Sequence, residues 1–207
     1  MYIANLNGVY DAIFNLGFNC QGVYYTKAHG LSCGNGPTDW FGVHELSKLV
    51  RLIDNRYQGY MELEDLKIIG TDKQYYAVFN EKSNVASYHD FLQGYTLEQS
   101  YGQFRAKIDR RINRFYKKLA VSNYALFIRA SFFQDEVNYL EQLVNVLSKY
   151  CKGNFDVVFI ELNENVNEIV DVGTNINKVC YLQFPRGANW LGCEAAWNYL
   201  LNRITLV

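Results

Sequence analysis

The stretch "YDAIFNLGFNCQGVYY", residues 10–25, decides how the chain is read. An apolar run stops at Gly17, and three residues later a lone cysteine stands where a helix begins. A buried strand, a glycine turn and a helix make the opening unit of an α/β layer. The same stretch puts Cys20 at a helix N-terminus. Unpaired N–H groups and the positive end of the helix dipole favour thiolate there, and they can hold an oxyanion. Two roles are open to Cys20, a small buried residue or a nucleophile. A lone cysteine by itself is more often the first.

Working outward, the helix "CQGVYYTKAHGL" ends near Gly30, and the Gly-rich loop "SCGNGPTDWFG" follows with Asp39 and Trp40 at its far end. In "VHELSKLVRLIDN", Leu46, Leu49, Val50 and Ile53 are spaced for one helical face. Strands "LKIIG", "YYAVFN" and "VASYHDF" come next, joined by turns at "TDKQ" and "EKSN". The longest helix is "LEQSYGQFRAKIDRRINRFYKKLAV", with Phe104, Ile108, Ile112, Phe115 and Leu119 as its apolar stripe. Its basic residues read as a solvated face rather than a nucleic-acid patch. Strand "YALFIRA", helix "QDEVNYLEQLVNVLSKY", strands "DVVFIEL" and "KVCYLQF", and helix "LGCEAAWNYLLNRI" complete the chain. This alternation predicts an α/β fold (α+β is the alternative). The expectation is a single domain over residues 1–207, a mixed β-sheet flanked by helices.

Composition sets limits. The 207 residues suffice for one sizeable core, and aromatics reach 16%. The net charge is −1, which gives no reason to expect nucleic acid or an acidic membrane surface. Five cysteines, an odd number with no CxxC, argue against a disulfide framework or a structural zinc, and no cofactor or metal is expected. The N-terminus lacks a signal-peptide pattern, and no run approaches 18 apolar residues. The expected compartment is therefore the cytoplasm.

A nucleophilic cysteine needs a base, usually histidine. The chain has three: His29, about two helical turns from Cys20; His44, opening a helix; and His89, at the end of a predicted strand. Spacing alone does not choose among them.

Five motifs do. "IFNLGFNCQ", "GPTDW", "SYHDF", "DRRINRF" and "LFIR", in that order over about Tyr10 to Arg129, resemble a bacterial family of unknown function regarded as papain-like cysteine peptidases. Its members carry "SLG-x-NC", "GPFDW", "HDF", "RRI-RF" and "FVR". Asn15 and Thr38 depart from the usual serine and phenylalanine. The resemblance implies a papain-like nucleophile helix, Cys20 as nucleophile, His89 as general base and Asp39 as a candidate third member. Asp90 and Glu161 are alternatives for that third role. Asn19 and Gln21 flank the nucleophile and could serve an oxyanion, though capping and solvent are their ordinary roles. Arg129 could clamp a ligand anion or pair with an acid such as Asp90. Trp40 reads as core, and Cys33, Cys151, Cys180 and Cys193 as structural. The substrate class implied is a peptide, amide or acyl group, resolved by water or by another acceptor. The rival expectation is a non-catalytic module that takes an anionic small molecule or glycan in the same cleft.

Overall fold

A computed structural model describes all residues, 1–207. In chain order it contains β1 (Val9–Tyr10), β2 (Ala12–Asn15), α1 (Gln21–Ala28), β3 (Phe41–Val43), α2 (Leu46–Asp54), β4 (Leu66–Asp72), β5 (Tyr75–Asn80) and β6 (Val85–Leu92). There follow α3 (Leu97–Val121), β7 (Tyr124–Ser131), α4 (Leu140–Tyr150), β8 (Asn154–Asn163), β9 (Val170–Asp171), β10 (Val179–Pro185), α5 (Glu194–Leu201) and β11 (Thr205–Leu206).

The central sheet has the order β2-β7-β8-β10-β9, parallel except for the last pair. Parallel strands are covered on both faces, which is why "YALFIRA" and "DVVFIEL" are almost continuously apolar. Successive side chains point to opposite faces. Phe127, Phe155, Val157 and Phe159 enter the larger core with α2, α3, α4 and the hairpin strands. Leu126, Ile128, Val158 and Ile160 enter the smaller core with α5, where Trp197 stacks on Tyr25 of α1 at 5.4 Å between centroids. The α3 stripe is buried at Phe104, Ile108, Phe115 and Leu119, and its start is fixed by a Thr96–Gln99 capping box.

The hairpins do not join this sheet. They form a separate antiparallel sheet of order β3-β6-β5-β4, in which β3 straddles the end of the expected loop and Val43, expected to open the next helix. The fold is thus α/β, with several sheets flanked by helices. The helix expected from Gln134 begins instead with a 3-10 stretch, Gln134–Tyr139, and becomes α-helical at Leu140. No helix is long and apolar enough to cross a membrane.

Two glycines set how α1 leaves β2. Gly17 has φ +72°, and a Cβ there would lie 2.5 Å from Val43 Cγ2. Gly22 lets α1 press on the end of β2, since a Cβ would come within 2.6 Å of Asn15 Oδ1.

Candidate active site

Ligands of open parallel sheets bind beyond the carboxyl ends of the strands. The segment Leu16–Cys20 lies there, leading from β2 into α1, and Cys20 is the last residue before the helix. Its carbonyl accepts the first helical bond from the Tyr24 N–H at 2.9 Å. Asn19 Oδ1 accepts from the Gln21 N–H at 3.0 Å, so Asn19 does the capping. The Cys20 thiol is half-buried and makes no capping bond. Burial, and then the charge of Asp39, push it up to about 11. These two effects oppose the pull of the helix N-terminus. Because the thiol carries no hydrogen bond, Cys20→Ala is expected to keep the fold and change unfolding free energy by at most about 1 kcal/mol. A loss of several kcal/mol in urea denaturation would make Cys20 a core residue.

Asp39 is buried, with Oδ1 lacking a partner. Burial pushes its carboxyl up to about 6, against the opposing pull of the Gly36 N–H and of Arg111, Lys27 and Arg114. It is Asp39, rather than His89, that the electrostatics couple to Cys20.

His89 is exposed and sits in a break of the β5–β6 ladder. Tyr76 pairs with Phe91 and Val78 with Ser87, so Ala77 alone opposes Tyr88, His89 and Asp90. Such bulges re-aim side chains. The His89 ring meets the edges of Trp40 (6.4 Å) and Tyr75 (6.3 Å), and makes no hydrogen bond to Cys20. Trp40 carries Lys27 of α1 over its ring at 5.0 Å, so this indole links the helix of Cys20 to the bulge of His89. Asp90 accepts from Ser87 Oγ at 2.6 Å and pairs with Lys107, which commits both its oxygens away from His89. Tyr88, the first bulge residue, has its phenol pushed up by burial and then by the neighbouring Cys20 and Asp72. His44 lies on this side too. A Cβ on Gly42 would stand 3.1 Å from His44 Nε2 and 3.4 Å from a Tyr88 ring carbon, and His44 meets the edge of Phe18 at 6.4 Å.

The other candidate residues are engaged elsewhere. Gln21 is fully buried, and its Oε1 accepts from the Trp197 indole at 3.4 Å. Arg129 is fully buried and grips Glu136 with two nitrogens, Nε at 3.0 Å; the acid is Glu136, not Asp90. Its Nη1 donates to the Leu16 carbonyl at 2.9 Å, so it holds the segment that leads to Cys20. Glu161 accepts from Tyr181, from Gln183 at 3.1 Å and from Asn163 at 3.0 Å. His29 Nδ1 bonds the Tyr25 carbonyl at 2.9 Å, within its own helix.

Sequence reasoning overlooked two arginines. Arg111 donates to the Asp39 carbonyl at 3.0 Å and Arg114 to the Asn35 carbonyl. The "DRRINRF" motif therefore straps down the "GPTDW" loop, as Arg129 of "LFIR" straps down "NLGFNC". Four motifs are joined pairwise, and the fifth, "SYHDF", is the bulge. The departures also meet: Thr38 Oγ1 donates to the Asn15 carbonyl at 3.2 Å. Phe18 (φ +77°) and Trp40 (φ +71°) hold left-handed backbone that bulky residues avoid, one just before Cys20 and one just after Asp39. Six other non-glycine residues, among them Arg56, Tyr57 and Lys73, hold such backbone away from this site.

Comparison with known proteins agrees with this convergence of motifs. A relative from Acanthamoeba polyphaga mimivirus, "Uncharacterized protein R408", is 25% identical over 170 residues, 72% of this chain and 76% of its own. That relative is viral, so the comparison does not carry the bacterial origin that the motifs suggested. No solved structure matches the chain. A family model covers residues 11–165, from the start of β2 through β8 and so through all five motifs, and the chain belongs to that family, "Putative papain-like cysteine peptidase (DUF1796)".

Proposed function

We propose that the chain is a thiol hydrolase or acyltransferase of a single domain, residues 1–207, with Cys20 as nucleophile and His89 as general base. The observation that carries this reading is the half-buried cysteine at the start of α1, flanked by strained Phe18 and coupled to the strapped Asp39 loop. In the reaction, His89 takes the thiol proton as sulfur attacks the carbonyl carbon of a peptide, amide or other acyl donor. The leaving group departs with that proton, and the thioester is resolved by water or by another acceptor. Catalytic hydrogen bonds are often long or poorly aligned before substrate binds and tighten afterwards, and the pairing of Cys20 with His89 is proposed for the substrate-bound state. The third role goes to Asp39, whose negative charge, after burial, holds the thiol protonated until His89 takes the proton. Asn19, beside the nucleophile, is the candidate oxyanion donor, while Gln21 packs behind α1 against Trp197 and Arg129 holds the segment that leads to Cys20. Five free thiols suit a reducing compartment such as the cytoplasm.

The test uses p-nitrophenyl acetate, acid quenching and peptide mapping. An acetyl group is expected on Cys20, with its formation slowed about a hundredfold or more in His89→Ala. Acetylation confined to Cys33 or Cys193, or a rate unchanged in His89→Ala, would reject the assignment. One observation favours a second reading, a binding module for an anionic small molecule or glycan. The thiol stays protonated at neutral pH, pushed up to about 11. No acetylation of any thiol would favour that module.

A further inference from the structure

Two grooves meet at Arg110. One, of about 750 Å³, runs between the β6 bulge and α3 and is lined by His89, Asp90, Tyr95, Gln103, Lys107 and Arg110. The other is a shallow, open trough formed by side chains of α3 alone, past Arg114, Lys117 and Lys118. Asp90 is the one acid of the first groove, and it is taken by Lys107; the second groove contains none. Arg110, Arg114, Lys117 and Lys118 form no ion pair, although the whole chain has a net charge of only −1. Arg114 is partly engaged with the Asn35 carbonyl, whereas Arg110 and Lys117 are exposed and free of side-chain partners. The cations are thus gathered on one track that ends at His89.

Their spacing selects the shape of a partner. Arg110 and Arg114 are four residues apart, about 6 Å along a helix that rises about 1.5 Å per residue. Alternate side chains of an extended peptide are about 6.6 Å apart. Single-stranded nucleic acid would want a run of aromatic platforms for its bases; the track offers Tyr95 and His89 at one end and none from Arg110 to Lys118, where the cations are densest.

We propose that this track is an exosite for an extended acidic peptide segment, which it leads toward His89. The assignment rests on the reading of Cys20 and His89 as a peptide-processing site, and it names the substrate class as peptides carrying alternating acidic residues away from the bond attacked. The cations steer the acidic segment and set its register. Such charges act mainly on the rate of encounter, so binding should weaken steeply with salt.

The test is fluorescence anisotropy with a labelled Glu-Ala-Glu-Ala-Glu-Ala-Glu peptide, performed on Cys20→Ser so that chemistry plays no part. A matching Lys-Ala peptide and an oligothymidylate serve as competitors. Binding of the acidic peptide is expected, weakened about tenfold or more in Arg110→Glu/Lys117→Glu, with the melting temperature unchanged. The Arg110→Gln/Lys117→Gln pair should show a smaller loss, which separates charge from fold. No binding at low salt, or equal binding by the charge-reversed variant, overturns the proposal. Tighter binding of oligothymidylate overturns it in favour of a nucleic-acid track. Each outcome is independent of whether Cys20 forms a thioester, because the acetylation experiment decides that separately.

Discussion

Arg129→Ala is expected to lower the unfolding free energy by about 3–5 kcal/mol, because it strands a buried carboxylate. Glu136 is 4% exposed and has Arg129 as its only ion-pair partner. The Leu16 carbonyl loses its donor in the same stroke. Equilibrium urea denaturation measures the loss, and a change below 1 kcal/mol would mean that water or another cation reaches Glu136. Replacing both partners with apolar residues of similar size should recover part of the stability, since that removes the stranded charge. Recovery stays incomplete because Glu136 Oε1 also accepts the Leu46 N–H at 3.0 Å, at the start of α2. The segment carrying Cys20 would remain loose in both variants, and faster alkylation of Cys20 than in wild type would report this.

Asp39→Asn should stabilise the protein at pH 7.5 and leave it nearly unchanged at pH 3. The carboxyl titrates at 3.8 when unfolded and at about 6 when folded. A carboxyl raised in this way contributes its stability below the unfolded value, and that contribution is lost as pH rises through the folded value. Above about pH 6 the buried charge therefore costs about 3 kcal/mol, at about 1.36 kcal/mol per pH unit. Asn has the same shape and never takes the charge. Denaturation of both proteins at the two pH values decides the matter, and an equal difference at both would overturn it. The thiol supplies a second readout. Its burial remains in the variant while the negative neighbour goes, so the alkylation profile of Cys20 should move to lower pH. An unmoved profile would show that Asp39 does not act on the sulfur.

Local patterns in the sequence were enough to place Cys20. An apolar run, a glycine and an interrupted helix signature put it at the N-terminus of α1, where it stands. The amphipathic stripe of α3 was equally plain, because Phe104, Ile108, Phe115 and Leu119 repeat at helical spacing and are all buried. Long side chains were where the reading failed. Arg129, near the end of an apolar strand, read equally as a pocket-mouth cation and as an ion-pair partner of an acid such as Asp90; the pair forms, but with Glu136, seven residues on, which folds back over it. Arg111 and Arg114 resembled a solvated face, but their reach lets them bond carbonyls 72 and 79 residues away. Pairwise contacts of that range leave no mark on periodicity. The sheets were also merged in the reading, because alternation identifies strands without stating which of them are neighbours. β3 escaped notice because its three residues continue a glycine-rich loop and are too short to show a period.

The break in the β5–β6 ladder bears on how a histidine at this place could be gained and lost. Three residues, Tyr88 to Asp90, face Ala77 alone, so β6 is two residues longer than its partner needs. Deleting two of them would restore pairing without altering the flanking pairs, Tyr76 with Phe91 and Val78 with Ser87. The surplus anchors itself through Asp90, which bonds Ser87 and pairs with Lys107, and the position of His89 depends on it. A lineage could therefore switch the histidine in or out by a short insertion or deletion, leaving every core residue untouched. Among relatives, strand length between the serine and the phenylalanine of "SYHDF" would then mark which proteins hold a histidine in this place.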